Sequence, residues 1–149
     1  MNWSYIAGFF DGEGSISPNG GGFRVSIPQT NKKVLEEILH FTKVGFVINV
    51  KKRQAHWKDS WVYYIASKKD VYYFLSKTMP FLIVKKENTL NAMHILKNQI
   101  YIMEKKIEIH NKRKREAKIM KLKGLSYRQI GKELKIDWGY ARRLILDLA

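Results

Sequence analysis

Cysteine is absent from all 149 residues, which rules out disulfides, iron–sulfur clusters and thiolate zinc sites together and leaves burial to hold the core. Proline is nearly as scarce, at 3 residues, so few positions force a break in a helix or strand. No apolar run approaches the roughly 18 residues of a spanning helix, and no basic-plus-apolar leader precedes the first motif. Neither membrane insertion nor secretion is therefore expected, and the expected location is intracellular, in a cytoplasm or organelle. The four histidines, His40, His56, His94 and His110, have neither HxxxH spacing nor a His-Asn-His arrangement, so histidine–metal nuclease chemistry finds no support. Acidic residues are few, 13 against 28 Lys+Arg, giving a net charge of +15 and a pI near 10. The expected partner of such a chain is a phosphate polyanion.

Hydrophobic residues make up 45% of the chain and aromatics 13%, enough to build a core without covalent help. The charge does not separate into a neutral domain and a basic tail: residues 1–103 carry 14 basic and 7 acidic groups, residues 104–149 carry 14 and 6. Both parts are suited to nucleic acid. Near residue 104 the aromatic content drops, and 104–118, with Lys112, Arg113, Lys114 and Arg115, reads as a helical or extended basic linker lying against phosphates.

The densest signal is Ile6-Ala7-Gly8-Phe9-Phe10-Asp11-Gly12-Glu13-Gly14. Gly8 and Gly12 are four apart, so on a helix they share a face and admit a closely approaching backbone, at about 1 kcal/mol each in helix propensity. Trp3, Ile6, Phe9 and Phe10 are large and apolar, so the helix is expected to be nearly all buried. A carboxylate at a helix C-terminus opposes the dipole, which favours a cation there, so Glu13 reads as half of a metal site.

This nonapeptide resembles the motif of the LAGLIDADG homing endonucleases, with Phe9, Phe10, Gly12 and Glu13 as variants. The resemblance implies that two copies of the helix pack through Gly8 and Gly12. It makes Glu13 the metal-binding acid and the Gly14 carbonyl a further ligand, with Asp11 more structural. One motif per chain then implies a homodimer acting on a near-palindromic DNA duplex. Oxygen ligands imply a hard ion, Mg2+ or Mn2+. The implied activity is site-specific, double-strand hydrolysis across the minor groove. The alternatives are a non-cleaving DNA-binding regulator and an RNA maturase, whose partner would be intron RNA.

Further along, Asn19-Gly20-Gly21-Gly22 between Ser15–Pro18 and Phe23–Gln29 is hairpin chemistry, since tight turns need positive φ. Phe23, Val25 and Ile27 alternate with Arg24 and Ser26. Helical spacing follows over 32–42, strands over 46–53 and 60–67, a helix over about 69–77 ended by Pro80, and a long helix from Lys85 to about Met103. The order αββαββα, an α+β fold, matches the core of the resembled family over residues 3–103. There, four antiparallel strands form a saddle with a concave polar face for DNA. Arg24, Ser26, Lys51, Lys52 and Arg53 are candidate DNA contacts. In the fourth strand, Trp61, Tyr63 and Ile65 oppose Val62, Tyr64 and Ala66, and both rows are apolar enough for the core.

On the same resemblance Gln29 helps hold water near the metal, Lys85 lies beside the scissile phosphate and Lys33 joins the same pocket, with Lys32 or Lys86 as one-residue alternatives. The last segment, 119–149, resembles a helix-turn-helix. Ser126 caps its first helix with Gln129 as partner, Ile130, Leu134, Ile136, Ala141 and Leu144 form its small core, and Asp137 caps the second helix. That helix is expected to offer Trp138, Tyr140, Arg142 and Arg143 to DNA.

Overall fold

The computed structural model describes residues 1–52, 54 and 56–146. Its elements run α1 (Trp3–Glu13), β1 (Ser15–Asn19), β2 (Gly22–Gln29), α2 (Lys32–Thr42), β3 (Phe46–Val50), β4 (Ser60–Ile65), α3 (Lys68–Thr78), a 3-10 turn (Met79–Phe81), α4 (Lys86–Leu122), α5 (Tyr127–Leu134) and α6 (Trp138–Leu146). The chain divides into two compact units, Met1–Ile100 and Tyr101–Ala149. The expected αββαββα order is the order found.

Local chemistry sets the element boundaries. Asn2 starts α1 by accepting from the Tyr5 N–H at 2.9 Å, and Asn31 starts α2 by accepting from Lys33 N–H at 3.1 Å. Between β1 and β2, Gly20 and Gly21 have φ of +49° and +81°, the left-handed pair that a two-residue hairpin turn demands. The four strands order β1-β2-β4-β3, all antiparallel. Pro80 lies in the 3-10 turn directly after α3, where a missing N–H costs least.

The sheet is packed on one face. Val25, Ile27, Tyr63 and Ile65 are buried together with Ile6 and Phe10 of α1, Leu35 and Ile38 of α2, Phe74 and Leu75 of α3, and Leu96 of α4. This settles the fourth strand: Trp61, Tyr63 and Ile65 face the core, so Val62 and Tyr64 face outward. Two expectations change. Within a single chain α1 is not nearly all buried, because Tyr5, Gly8, Gly12 and Glu13 are exposed; Ile6, Ala7 and Phe10 are fully buried, and Trp3 and Phe9 partly so. The long helix does not stop near Met103 but continues through the basic stretch to Leu122. Straight-chain Lys, Arg and Glu have high helix propensity, and 104–122 contains neither Gly nor Pro to end it.

In the second unit, Ala117, Ile130, Ala141 and Leu144 form a separate small core. Ser126 and Gln129 form the reciprocal capping box, and Asp137 Oδ1 accepts from the N–H groups of Gly139 (2.8 Å) and Tyr140 (3.1 Å). A Cβ at Gly131 would stand 2.9 Å from the Ile136 carbonyl, so the α5–α6 connection folds back over that position.

Tyr63 is the largest fully buried side chain of the sheet. Its hydroxyl donates to the Val44 carbonyl at 2.8 Å and lies 2.9 Å from Thr42 Oγ1, tying the end of α2 to β4. Burial, partly offset by the Thr42 hydrogen bond and reinforced by Asp70, pushes the phenol up to about 12. A phenol whose folded pKa is raised contributes stability that is intact below its unfolded value, about 10, and is lost as pH rises through 12. Tyr63→Phe should cost about 1 kcal/mol at neutral pH. In chemical denaturation from pH 8 to 12, the gap between parent and variant should close only above about pH 10; a gap that widens with pH would refute this reading.

Candidate metal and nucleic-acid site

The site is built where the C-terminus of α1 meets the N-terminus of α4. Asp11 has turned its carboxylate away from its own helix end onto the backbone before α4. Oδ2 accepts from the N–H groups of Ile83 (2.7 Å) and Val84 (2.9 Å), and Oδ1 accepts from that of Lys85 (2.8 Å). Lys85 reciprocates by donating from Nζ to the Asp11 carbonyl. The carboxylate thus stands at the positive end of α4 and the ammonium at the negative end of α1, each where a helix dipole favours it. Burial works against ionisation of Asp11, but the three backbone hydrogen bonds and the Lys85 charge outweigh it and hold the carboxyl below the ordinary aspartate range.

Glu13, two residues on, ends α1 exposed, with no hydrogen bond or ion pair among the described residues. Gly14, whose N–H donates to the Phe10 carbonyl at 2.9 Å, must be glycine for a reason inside the chain: a Cβ there would overlap the Phe10 ring. Gly8 and Gly12 differ. A Cβ at either would meet nothing within 4 Å, so the chain's own packing gives no reason for their lack of side chains. The described residues contain no cluster of three or more His, Cys, Asp or Glu able to hold a metal. One Glu13 carboxylate and a backbone carbonyl are hard oxygen donors of the right kind for Mg2+, but too few from one copy. The donor types suit a divalent cation, and its coordination calls for more ligands than one chain supplies.

The other expected site residues are distributed as follows. Gln29 ends β2 with Oε1 accepting from the Thr30 N–H at 2.8 Å and hydroxyl at 3.3 Å, which leaves its NH2 as the outward group. Lys33 is exposed in the first turn of α2, and of the two alternatives Lys32 pairs with Glu36 at 2.8 Å while Lys86 is exposed at the start of α4. Lys85 is the candidate base that geometry brings to the acid-bearing turn. Arg24 is exposed on the outer face of β2, and Ser26 beside it shares a 2.9 Å hydrogen bond with Ser15. Lys51 and Lys52 follow β3, and Lys52 pairs with Asp59 at 3.0 Å; Arg53 lies outside the described residues.

In the second unit Lys112, Arg113, Arg115, Arg142 and Arg143 are exposed and Lys114 is half-buried. Tyr140 does not stand clear as expected: it packs against the small core and its hydroxyl lies 3.0 Å from His110 Nδ1. A residue that reasoning from sequence placed only loosely is Asp11, whose partners lie 72 to 74 positions away. The only local hint was an unusual acid in the last turn of an apolar helix.

A depressed carboxyl contributes stability present above its unfolded value, about 3.9, and lost as pH falls through the lower folded value. Asp11→Asn, which keeps size but weakens acceptance from three N–H groups, should lower stability by about 1–2 kcal/mol at pH 7. Thermal melts from pH 7 to 2 should show the parent's advantage shrinking only below about pH 4, whereas an advantage that persists undiminished at pH 2 would contradict the assignment.

No curated protein matches the chain. Among solved structures, the archaeal intron-encoded homing endonuclease I-Vdi141I, complexed with DNA, superposes with a TM-score of 0.55 at 24% identity, over 99% of this chain and 97% of that one. The homing endonuclease I-CvuI, in complex with the I-CreI target, gives a TM-score of 0.50 at 19% identity, over 64% of this chain and 65% of that one. The LAGLIDADG meganuclease I-AabMI, bound to uncleaved DNA, gives 0.51 at 21% identity, over 72% of this chain and 41% of that one. This chain thus spans slightly less than two-thirds of I-CvuI, and identities this low establish the shared fold. The family model described as a LAGLIDADG-like domain matches residues 2–79, which include the motif helix, all four strands and α3. With that motif, that strand order and that match, the chain belongs to the LAGLIDADG homing endonuclease family.

Proposed function

We propose that this protein is a Mg2+-dependent, site-specific DNA endonuclease of the homing type that acts as a homodimer. One observation carries the reading: α1 ends in an exposed carboxylate, Glu13, on a helix whose two outward glycines, Gly8 and Gly12, have open space around them. A second copy of α1 laid along that glycine face brings backbones close and sets two Glu13 carboxylates near each other. Two like charges beside an anionic phosphodiester are tolerable only with cations between them. The Glu13 carboxylates would hold a divalent metal there, which would supply an activated water and charge stabilisation for the leaving 3′ oxygen.

This chain's own residues do the rest. Asp11 fixes the turn that carries Glu13 by holding the entry to α4. The Lys85 ammonium has three donors, one of which goes to the Asp11 carbonyl; the other two serve a phosphate oxygen in the transition state. Gln29, its acceptor oxygen engaged with Thr30, offers N–H donors that orient a water. Lys33 adds positive potential. The outer face of the sheet, with Arg24 and Ser26 on β2 and Lys51 and Lys52 after β3, lies along the major groove, and Arg53, next in sequence, is a further DNA contact. The DNA-bound state of the homing endonucleases that share the fold supports DNA as the partner. No described helix is long and apolar enough to cross a membrane. The basic helical stretch over 104–118, which lends Ala117 to the small core of the second unit, leads into 119–149, a helix-turn-helix extension that lengthens the footprint.

The test is cleavage of a randomised duplex library in Mg2+ by the parent, Glu13→Gln and Gly12→Leu. The parent should cut at a defined near-palindromic site; Glu13→Gln should bind that site but lose at least 10²-fold in rate. Gly12→Leu should fold at least as stably, since a Cβ at this exposed position meets nothing within 4 Å and helix propensity improves by about 1 kcal/mol, yet sediment as a monomer and fail to cut. A parent that binds tightly and never cuts would sink the nuclease reading. For the extension, Arg142→Ala with Arg143→Ala should flatten the slope of log affinity against log salt by about 2 if both meet phosphates. An unchanged slope removes α6 from the interface.

A further inference from the structure

The outer face of the sheet is two different surfaces side by side. Strand pairing puts Ser15 opposite Ser26 and Ser17 opposite Arg24 on β1–β2, a polar half. On the β4–β3 half it puts Tyr64 opposite Phe46, Val62 opposite Ile48, and Ser60 opposite Val50. Here Phe46, Ile48 and Val50 are 47%, 43% and 39% exposed, although β3 is an edge strand. The Phe46 and Tyr64 rings lie 5.2 Å apart in a tilted pair, which fixes their orientation. The core of this unit occupies the opposite face of the sheet. An apolar row is an odd choice for a surface meant only for phosphates, and it is also an aggregation risk that edge strands normally avoid.

Resting on the DNA reading above, we propose that the β3–β4 face reads thymine: Phe46, Ile48 and Val50, backed by Val62 and Tyr64, contact the C5 methyl groups of thymines in the major groove. The occupant is argued from charge and spacing. The row is flanked by cations, with exposed Arg24 on the same face and exposed Lys51 directly after Val50, in a chain of net charge +15. A partner must therefore be anionic around its edge and apolar at points within. The major groove of DNA has that character, because the thymine methyl is the apolar group among its base edges. Residues two apart on one strand face stand about 6.8 Å apart, close to two base-pair steps of about 3.4 Å each. The target half-site is then bipartite, with Arg24 beside Ser26 suited to guanine on the β1–β2 side and A·T pairs with inward thymine methyls on the β3–β4 side.

Deleting the methyl tests this without touching the protein's fold. The tightest duplex selected from a randomised library is remade with deoxyuridine replacing thymine, singly and throughout, and binding of the full-length parent is measured at fixed salt. Each contacted methyl should be worth roughly fourfold in Kd, and full replacement more than tenfold. The triple variant Phe46→Ser, Ile48→Ser, Val50→Ser should distinguish the two duplexes less than twofold. Equal parent affinity for both duplexes overturns the proposal, as does a selected site without thymine. A uridine penalty of the same size in the triple variant also overturns it, since it assigns the methyl contact elsewhere. Absence of any duplex binding by the parent is a different result: it overturns the DNA reading itself and this proposal with it.

Discussion

The exchange between Asp11 and Lys85 is the constraint on which the rest of the structure turns. A carboxylate in the last turn of α1 accepts three successive backbone N–H groups ahead of α4, and the ammonium of Lys85 returns to the α1 end. Each group stabilises the other's helix, because each stands at the dipole end of opposite sign. Without this exchange the C-terminus of α1 would be held only by apolar contacts on its inner face, and the direction of Glu13 would drift. The buried face, with Ile6 and Phe10 against Phe74, sets where the helix lies. Asp11 and Lys85 set where its end points.

The glycines of the motif then divide by cause. Gly14 answers to the chain's own packing, since any side chain there meets Phe10. Gly8 and Gly12 answer to nothing inside it. Helix propensity alone would favour alanine at both positions, by about 1 kcal/mol each. A sequence that forgoes this twice on one helix face, four residues apart, leaves that face open. On the proposed function, assembly and chemistry then fall in one short segment, because the acid lies one residue beyond the second glycine.

Much of this was legible in the sequence because it is written locally. The motif is contiguous, the Asn19–Gly22 hairpin turn and the Ser126–Gln129 capping box need only neighbouring residues, and the αββαββα order follows from changes of apolar period. What was not legible depends on distant or ambiguous information. The partners of Asp11 lie beyond four strands and two helices, and no local pattern points to them. In β4 both rows are apolar, so only pairing with Val25 and Ile27 decides which faces the core. The same ambiguity hid the apolar outer row of β3, where Val47 packs on the core and Phe46 and Ile48 on either side of it do not. The end of α4 lies well past Met103 because the loss of aromatics near residue 104 marks no break in structure, and Lys, Arg and Glu continue a helix readily.

The account's central claim is that two copies of the α1 end share one hydrolytic site, and subunit mixing tests it most directly. Parent and Glu13→Gln chains, unfolded together and refolded at varied ratios, would be assayed for total strand scission, nicks and double-strand cuts together. If each site needs both Glu13 carboxylates, only parent–parent pairs act, and scission falls with the square of the parent fraction, to about a quarter at equal amounts. A linear fall, to about half, would mean that each copy hydrolyses alone, and the shared site would be wrong.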